Sequence, residues 1–257
     1  MQVTITGSGT SQGVPVIGCD CKVCKSNDKK DKRFRCSVHI SYKGKSFVID
    51  TGPDFRQQML NAEIKSLDAI LFTHEHKDHV AGLDDLRAFY WPDRIDIPVY
   101  ATKQHSIDIL ARFPYLFAKH AESPSYFVPP MKMNLIAAND ILEIGGCKIE
   151  IFHQDHGNAS SLGFLFDRKF GYSTDVVGMG DDVFDRLAGI DLWIVEALRA
   201  APHSSHSHYD QTFAWIDRVK PKQAILTHLG LEADYETLCA ICPDGTKPGI
   251  DGLVWSL

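Results

Sequence analysis

The sequence has no long apolar run. None of its apolar segments reaches the ~18 residues that a helix needs to cross a membrane. The first residues, Met1–Gly7, alternate in the manner of a half-buried strand. They contain no basic segment followed by an apolar one, which is what a secretory signal would show. We therefore expect a cytoplasmic protein without a membrane partner.

An excess of positive charge is also lacking. The chain has 27 lysines and arginines against 33 aspartates and glutamates, a formal net charge of −6. Such a balance argues against a broad electrostatic hold on a long polyanion. A nucleic-acid partner is therefore not expected.

The cysteines do not suggest a disulfide framework. There are seven, an odd number, and Cys19, Cys21 and Cys24 are bunched together, which fits reduced thiols or metal ligation better. The chain also shows no internal repeat, linker or low-complexity segment. With 44% hydrophobic residues among 257, a single domain over residues 1–257 is the simplest account.

The most informative stretch follows the apolar run 68–72, where three imidazoles and a carboxylate fall within six residues: His74, His76, Asp78 and His79. Imidazole and carboxylate are good donors for zinc, manganese or iron. Because a strand alternates its faces, His74 and His76 can share one metal while the turn carries the other two elsewhere. The spacing therefore indicates two metals. A polar surface loop is a poor alternative for so dense a set.

Further candidate ligands follow other predicted strands. Asp50 ends an apolar strand, although a turn aspartate before Gly52 is the alternative. Three further candidates for metal ligation are His156, Asp175 and His228. All these positions fall at strand-to-loop junctions, so the strands can converge on one rim.

The three clustered cysteines are spaced closely enough to bind one ion, which predicts most of a structural zinc site. No fourth ligand lies nearby in sequence. Cys36 and Cys242 are the candidates for it, and a reduced surface cluster is the alternative.

The run His74-x-His76-x-Asp78-His79 after a buried strand resembles the signature of the metallo-β-lactamase superfamily of hydrolases. Four further features are similar to its PhnP-type branch: the cysteine run, Gly82–Arg87, His206 and Thr227–Leu229. The resemblance implies an α/β fold of the αββα type. Two mixed β-sheets then lie face to face with helices outside.

The resemblance also implies a role for each candidate. One divalent metal ion would bind His74, His76 and His156, and a second would bind Asp78, His79 and His228. Asp175 would bridge the two, and Asp50 would orient a ligand histidine. Zinc and manganese are the expected metals, with iron as a further option, and a metal-bridging hydroxide would be the nucleophile.

For the PhnP-type branch the implied reaction is hydrolysis of small cyclic ribose or nucleotide phosphates, so the expected partner is a small phosphodiester. The implied catalytic residues are Asp78, and His206 as general acid for the leaving ribose oxygen. That branch completes its cysteine zinc site with a histidine where this chain has Leu231. This difference at Leu231 affects the predicted structural zinc site more than the predicted catalysis.

Several alternatives stay open at this point. The same superfamily includes thioesterases, lactonases and nucleases that process tRNA 3′ ends, and a non-catalytic zinc-binding module is a further class. A homodimer is also left open. The charged stretch 25–35 is expected to be a solvated loop.

Two segments have competing interpretations. Residues 84–135 are rich in aromatic residues and form either a lid or substrate wall, or ordinary core. The glycine loop Gly7–Pro15 lacks the lysine of a P-loop and the dinucleotide spacing. A connection between two core strands is therefore favoured over a phosphate-binding loop.

Overall fold

A computed structural model describes all 257 residues. It contains fourteen strands: β1 Gln2–Gly7, β2 Ser37–Tyr42, β3 Lys45–Ile49, β4 Ala69–Leu71, β5 Ile97–Ala101, β6 Met131–Leu135, β7 Ile141–Ile144, β8 Cys147–His156, β9 Ala159–Phe166, β10 Phe170–Ser173, β11 Leu192–Glu196, β12 Gln223–Thr227, β13 Thr246–Pro248 and β14 Val254–Ser256.

The helices lie between these strands: α1 Lys22–Lys25, α2 Phe55–Asn61, α3 Lys77–Val80, α4 Arg87–Tyr90, α5 Lys103–Arg112, α6 Pro114–Phe117, α7 Asp181–Leu187, α8 Tyr209–Val219 and α9 Tyr235–Ile241. Two 3₁₀ turns cover Lys29–Asp31 and Leu83–Leu86. No helix combines the length and the apolarity that a membrane span requires.

The strands form two mixed sheets of seven. The first has the order β14-β1-β2-β3-β4-β5-β6 and the second β13-β12-β11-β10-β9-β8-β7. In each sheet antiparallel pairs give way to parallel ones, at β3–β4 and at β10–β11. The turn at Gly44 joins β2 to β3, with Lys43 and Gly44 both at positive φ as a two-residue hairpin of this type requires.

Three apolar clusters hold the layers together. Twenty buried residues, among them Phe47, Phe166 and Ile194, fill the space between the sheets. A second cluster packs α7, α8 and α9 on the outer face of the second sheet, and a third packs α2 to α6 on the first. The layer order is therefore helix, sheet, sheet, helix, and the predicted αββα sandwich is confirmed.

Residues 84–135 contribute largely to this core. β5 and β6 are strands of the first sheet, and Tyr90, Ile109 and Leu116 are buried in the third cluster. The core interpretation is therefore correct for these parts. A lid or substrate wall stays a prediction for the exposed connection 118–129.

The charged stretch 25–35 is not simply solvated. Asp31 and Arg33 are 2% and 3% exposed. Arg33 Nη2 donates to the carbonyl of Ala233 at 2.7 Å, and Asp31 Oδ1 accepts from the backbone N–H of Tyr235 at 2.9 Å. The expected solvated loop is wrong for these two residues, because their partners lie some two hundred positions later in the chain.

Candidate metal centre

The candidate ligands lie where strands of both sheets end at one rim. Three of the residues at these junctions have left-handed backbone: Asp50 at φ 63°, Asp175 at φ 53° and His228 at φ 55°. Non-glycine residues adopt this region at some cost, and such residues concentrate at functional sites. The sharp turn places each side chain at the rim directly after its strand.

A close backbone approach positions the loop after β4. A Cβ atom at Gly52 would lie 2.1 Å from the carbonyl oxygen of Asp78, so only glycine fits there. The backbone N–H of Thr51 donates to the carbonyl of His79 at 2.7 Å. The loop after β3 thus fixes the one that carries Asp78 and His79.

His74, His76 and His156 form the first ligand group. Their ligating atoms lie within 4.8 Å of one another. The Nδ1 atom of His156 donates to the carbonyl of Ser205 at 2.8 Å, which leaves Nε2 as the free lone pair. His74 Nε2 is buried without a hydrogen-bond partner.

The second group is built around His79. Its Nε2 atom lies 3.1 Å from Asp78 Oδ2 and 3.1 Å from Asp175 Oδ2. Its Nδ1 atom lies 2.8 Å from Asp50 Oδ2, as predicted for a carboxylate that orients a ligand histidine. His228 Nε2 lies 3.9 Å from Asp78 Oδ2, which brings the fourth member to the same place.

Asp175 stands between the two groups. Its Oδ1 atom is 3.9 Å from His74 Nε2 and 3.7 Å from His156 Nε2, whereas Oδ2 faces His79. The structure therefore brings all seven predicted metal residues together, with this carboxylate in the position expected for a bridge. Their roles as ligands stay a prediction.

The chemistry of this donor set fits divalent metal ions. The Nε2 atoms of His74, His79 and His228 are buried and have no hydrogen-bond partner. Buried polar atoms are nearly always paired, and metal coordination is the pairing that all three share. The rim thus has the donors that a divalent metal ion requires.

The charges of His74 and Asp175 agree with that assignment. At His79 and His228 burial would lower the pKa, but the neighbouring carboxylates raise it well above the ordinary value, so metal binding there competes with protons. Burial lowers the pKa of His74 well below its ordinary value, which favours the neutral imidazole that ligates metal. Burial would raise the pKa of Asp175, but His228 and His79 lower it well below its usual range. Asp175 is therefore ionised and available as a ligand.

The sequence did not identify Glu196 as part of this site. This carboxylate is fully buried at the end of β11. Its Oε1 atom lies 2.6 Å from His206 Nδ1 and 2.8 Å from His228 Nδ1. An acidic residue ending a strand of buried apolar residues was the signal available, the same one that pointed to Asp50 and Asp175.

His206 lies beside the ligand groups. Its ring stacks on that of His228 at 4.9 Å and 14°, and it is 4.8 Å from the ring of His156. Because Glu196 occupies Nδ1, the Nε2 atom is the one left to meet a substrate. His203 also lies close, with its ring 4.9 Å from that of His206.

The three clustered cysteines are brought together as predicted, with Sγ atoms within 4.8 Å of one another. Cys24 Sγ accepts from the backbone N–H of Val16 at 3.3 Å. Leu231 packs against the buried group of Val14, Val23 and Cys24. This geometry fits most of a zinc site, and the zinc itself stays a prediction.

Neither candidate for the fourth zinc ligand lies with these thiols. Cys36 is buried within the second metal group, beside His79, Asp175 and His228. Cys242 packs instead against the outer cluster of the second sheet. The suggestion that either one completes the cysteine site is therefore wrong, because Cys36 lies at the rim directly before β2, and Cys242 directly follows α9 on the outer face of the second sheet.

Comparison with known proteins identifies the family. The model of the Beta-lactamase superfamily domain matches residues 45–229. The chain belongs to the metallo-β-lactamase superfamily. The resemblance inferred from the sequence is confirmed.

Among solved structures, this metallo-β-lactamase chain is similar to one described as a new diphosphatase from the PhnP family. The identity is 35% and the TM-score 0.91, over 99% of this chain and 96% of the other. It also shares its fold with Zn(2+)-bound PqqB from Methylobacterium extorquens, at 20% identity and a TM-score of 0.80, with full coverage of both chains.

Among curated proteins, the superfamily member is 36% identical over 256 residues to an octanoyltransferase of Porphyromonas gingivalis. The match covers 98% of this chain and 51% of that protein. The chain thus spans about half the length of this relative.

Proposed function

We propose that the protein is a dinuclear phosphohydrolase that cleaves a phosphorus–oxygen bond in a small phosphate diester. The observation that carries the proposal is the sharing of Asp175 between two ligand groups, beside a histidine–carboxylate pair. Asp175 Oδ1 lies 3.8 Å from His206 Nδ1. One rim thus combines a two-metal donor set with a proton donor.

The cations would be held by His74, His76 and His156 on one side and by Asp78, His79 and His228 on the other, with Asp175 between. Divalent cations in such sites supply Lewis acidity towards phosphoryl oxygens and lower the pKa of water. Asp50 holds the ring of His79 in place through a hydrogen bond to its Nδ1 atom. Glu196 Oε1 lies 2.8 Å from Nδ1 of His228.

His206 supplies the proton that the leaving oxygen needs. An alkoxide is a poor leaving group, so a proton must reach it as the bond breaks. Glu196 accepts the Nδ1 proton of His206 and stabilises the charged ring, which leaves a proton on Nε2 for transfer. The buried carboxylate thereby fixes which nitrogen acts as the acid.

The similarity to a PhnP-family diphosphatase supports a phosphate ester over other substrates. Within that class the candidates are the cyclic ribose or nucleotide phosphates expected from the sequence, and diphosphate diesters. The expected partner is therefore a small-molecule phosphodiester.

Acyl thioesters are the second candidate. The relative named octanoyltransferase favours an acyl substrate. That protein is about twice as long as the matched region, so its acyl chemistry can belong to its other half. A thioesterase also has no need of the acid at His206, because a thiolate leaves without protonation.

A panel of substrates tests the proposal on metal-analysed protein loaded with zinc or manganese. It contains 2′,3′-cyclic AMP, ADP-ribose, bis-p-nitrophenyl phosphate, octanoyl-coenzyme A and a tRNA precursor. Turnover of the phosphate esters that is lost in Asp78→Ala supports the proposal. If only octanoyl-coenzyme A is hydrolysed, hydrolysis of acyl thioesters would replace phosphate-ester hydrolysis as the proposed function.

A further inference from the structure

A cavity of about 380 Å³ opens beside the metal centre. Asp78 lines its wall and also belongs to the second ligand group, so a molecule in the cavity lies next to that group. The cavity is lined as well by two cations, Arg35 and Lys77. The chain has a net charge of −6, so two cations lining one cavity are a local exception to its overall negative charge.

Arg35 is held in position by neighbouring groups. Its Nη1 atom lies 2.9 Å from Asp54 Oδ1, and its backbone N–H donates to Asp54 Oδ2 at 2.9 Å. Its Nε atom donates to the carbonyl of Ser11 at 3.3 Å. The Nη2 atom has no hydrogen bond within the protein, so a pre-positioned donor remains for a ligand.

Lys77 supplies the uncompensated charge. It is exposed, and its ammonium has neither an ion pair nor a hydrogen bond in the structure. The charge of Arg35 is partly offset by Asp54, whereas that of Lys77 is not. An anion in the cavity would therefore meet one free cation and one fixed guanidinium.

The glycine loop forms the opposite wall. The backbone N–H of Gly13 donates to the carbonyl of Thr10 at 2.7 Å, which closes a turn whose tip is Ser11 and Gln12. The backbone N–H groups of these two residues make no hydrogen bond in the protein. The N–H of Thr10 donates to the carbonyl of Leu229 at 3.1 Å and so places the turn next to His228.

We propose that this cavity binds a second phosphate group of the substrate, adjacent to the phosphate that is hydrolysed. Free backbone N–H groups, a guanidinium and an ammonium are the donors that bind phosphate oxygens. The inference rests on the proposed function, because only a phosphate ester held by the metal centre brings its neighbouring phosphate here.

The inference narrows the substrate class. An isolated cyclic phosphate would leave the cavity unused, whereas a diphosphate diester would place its second phosphate there. Attack on the first phosphorus would then break its bond to the alkoxy oxygen, which would leave with the proton of His206. Ile17 is fully exposed at its rim and offers an apolar contact to the organic part of such a molecule. The loop that the sequence marked as a connection is then part of substrate recognition.

Equilibrium binding tests the inference without relying on turnover. Binding of α,β-methylene-ADP and of AMP to the metal-loaded protein is measured by isothermal titration calorimetry, and metal content is checked afterwards. The two probes differ by one phosphate. We expect the diphosphate analogue to bind at least about tenfold more tightly, the effect of one or two charge-assisted hydrogen bonds.

Two substitutions and a control decide the outcome. Lys77→Gln should reduce the ratio of the two affinities severalfold, and Lys77→Glu should bring it to one or below. Lys65→Gln removes an exposed lysine that lines a different cavity and should leave the ratio unchanged. An unchanged ratio in Lys77→Glu would overturn the inference.

The same proteins separate this inference from the proposed function. If the protein hydrolyses bis-p-nitrophenyl phosphate but the ratio of the two affinities is unchanged in Lys77→Glu, the second-phosphate site alone is overturned. If the ratio falls in Lys77→Glu but no phosphate ester is hydrolysed, the phosphohydrolase assignment is overturned instead.

Discussion

Glu196 Oε1 lies 2.6 Å from Nδ1 of His206. The carboxylate is fully buried, while the histidine side chain is 16% exposed. The pair therefore joins the interior of the second sheet to the open side of the metal centre. The same carboxylate oxygen lies 2.8 Å from Nδ1 of His228, so one buried charge lies against both a candidate ligand and the candidate acid.

His206→Ala should lower kcat according to the leaving group. With an alkoxide leaving group we expect a loss of about 10²–10⁴-fold, the usual contribution of a general acid. With p-nitrophenolate, which leaves without protonation, the loss should be far smaller. Steady-state kinetics on 2′,3′-cyclic AMP and bis-p-nitrophenyl phosphate measure both, and equal losses would refute the acid role.

Asp175→Ala should lower metal content as well as rate. The carboxylate faces both ligand groups, and without it two cations would repel each other with no anion between them. Metal per protein, measured by inductively coupled plasma mass spectrometry, should fall clearly. Asp185→Ala removes an exposed aspartate of α7 and serves as the control. Full occupancy in Asp175→Ala would contradict a bridge.

Most of the candidate metal residues could be predicted from the sequence because the patterns that mark them lie within short stretches of the chain. His74, His76, Asp78 and His79 are adjacent in the chain, and Asp175 directly follows an apolar strand. Each such strand must be buried, so the polar residue at its end marks the edge of the sandwich. Placing them on one rim required the family resemblance as well.

What the sequence missed depends on distant partners. Glu196 ends a buried strand, a signal that the sequence does show, but its pairing becomes visible only once His206, ten residues away in an irregular loop, folds back onto it. Arg33 and Asp31 are buried by a segment that begins near Ala233. Cys36 was a candidate for the cysteine site by composition, but its place directly before β2 puts it at the metal centre. None of these contacts produces a periodic pattern in the sequence.

Leu231→His should raise the zinc affinity of the cysteine site. Leu231 packs against the buried group of Val14, Val23 and Cys24, as do Cys19 and Cys21, so an imidazole there could supply the missing fourth donor. We expect a gain of at least about tenfold, since even a hydrogen-bond partner of a ligand contributes about 10–100-fold. Alkylation of these thiols in zinc buffers, followed by peptide mass spectrometry, measures it.

Leu231→Ala is the matched control for that experiment, because it removes the apolar contact without adding a donor. It should protect the thiols no better than leucine does. If histidine and alanine gave the same protection, the position would not face the ion. Thiols that react equally with and without zinc in every variant would contradict the zinc site itself.

His39 should make folding stability depend on pH. It is 6% exposed on β2, with Nε2 2.8 Å from Ser46 Oγ, and burial lowers its pKa to about 4 from an ordinary 6.5. Between these values the unfolded chain binds the proton and the folded chain does not. Stability is therefore lost as the pH falls from 6.5 through 4, by up to about 3 kcal/mol.

Urea unfolding from pH 4 to 7 measures this loss as the difference between the wild type and His39→Gln, because protonation of the metal ligands affects both proteins alike. The variant should lose less stability on acidification, even if it is less stable at pH 7. His153→Gln removes an exposed imidazole of β8 and should follow the wild type. Parallel curves for the wild type and His39→Gln would show that His39 does not carry the pH dependence.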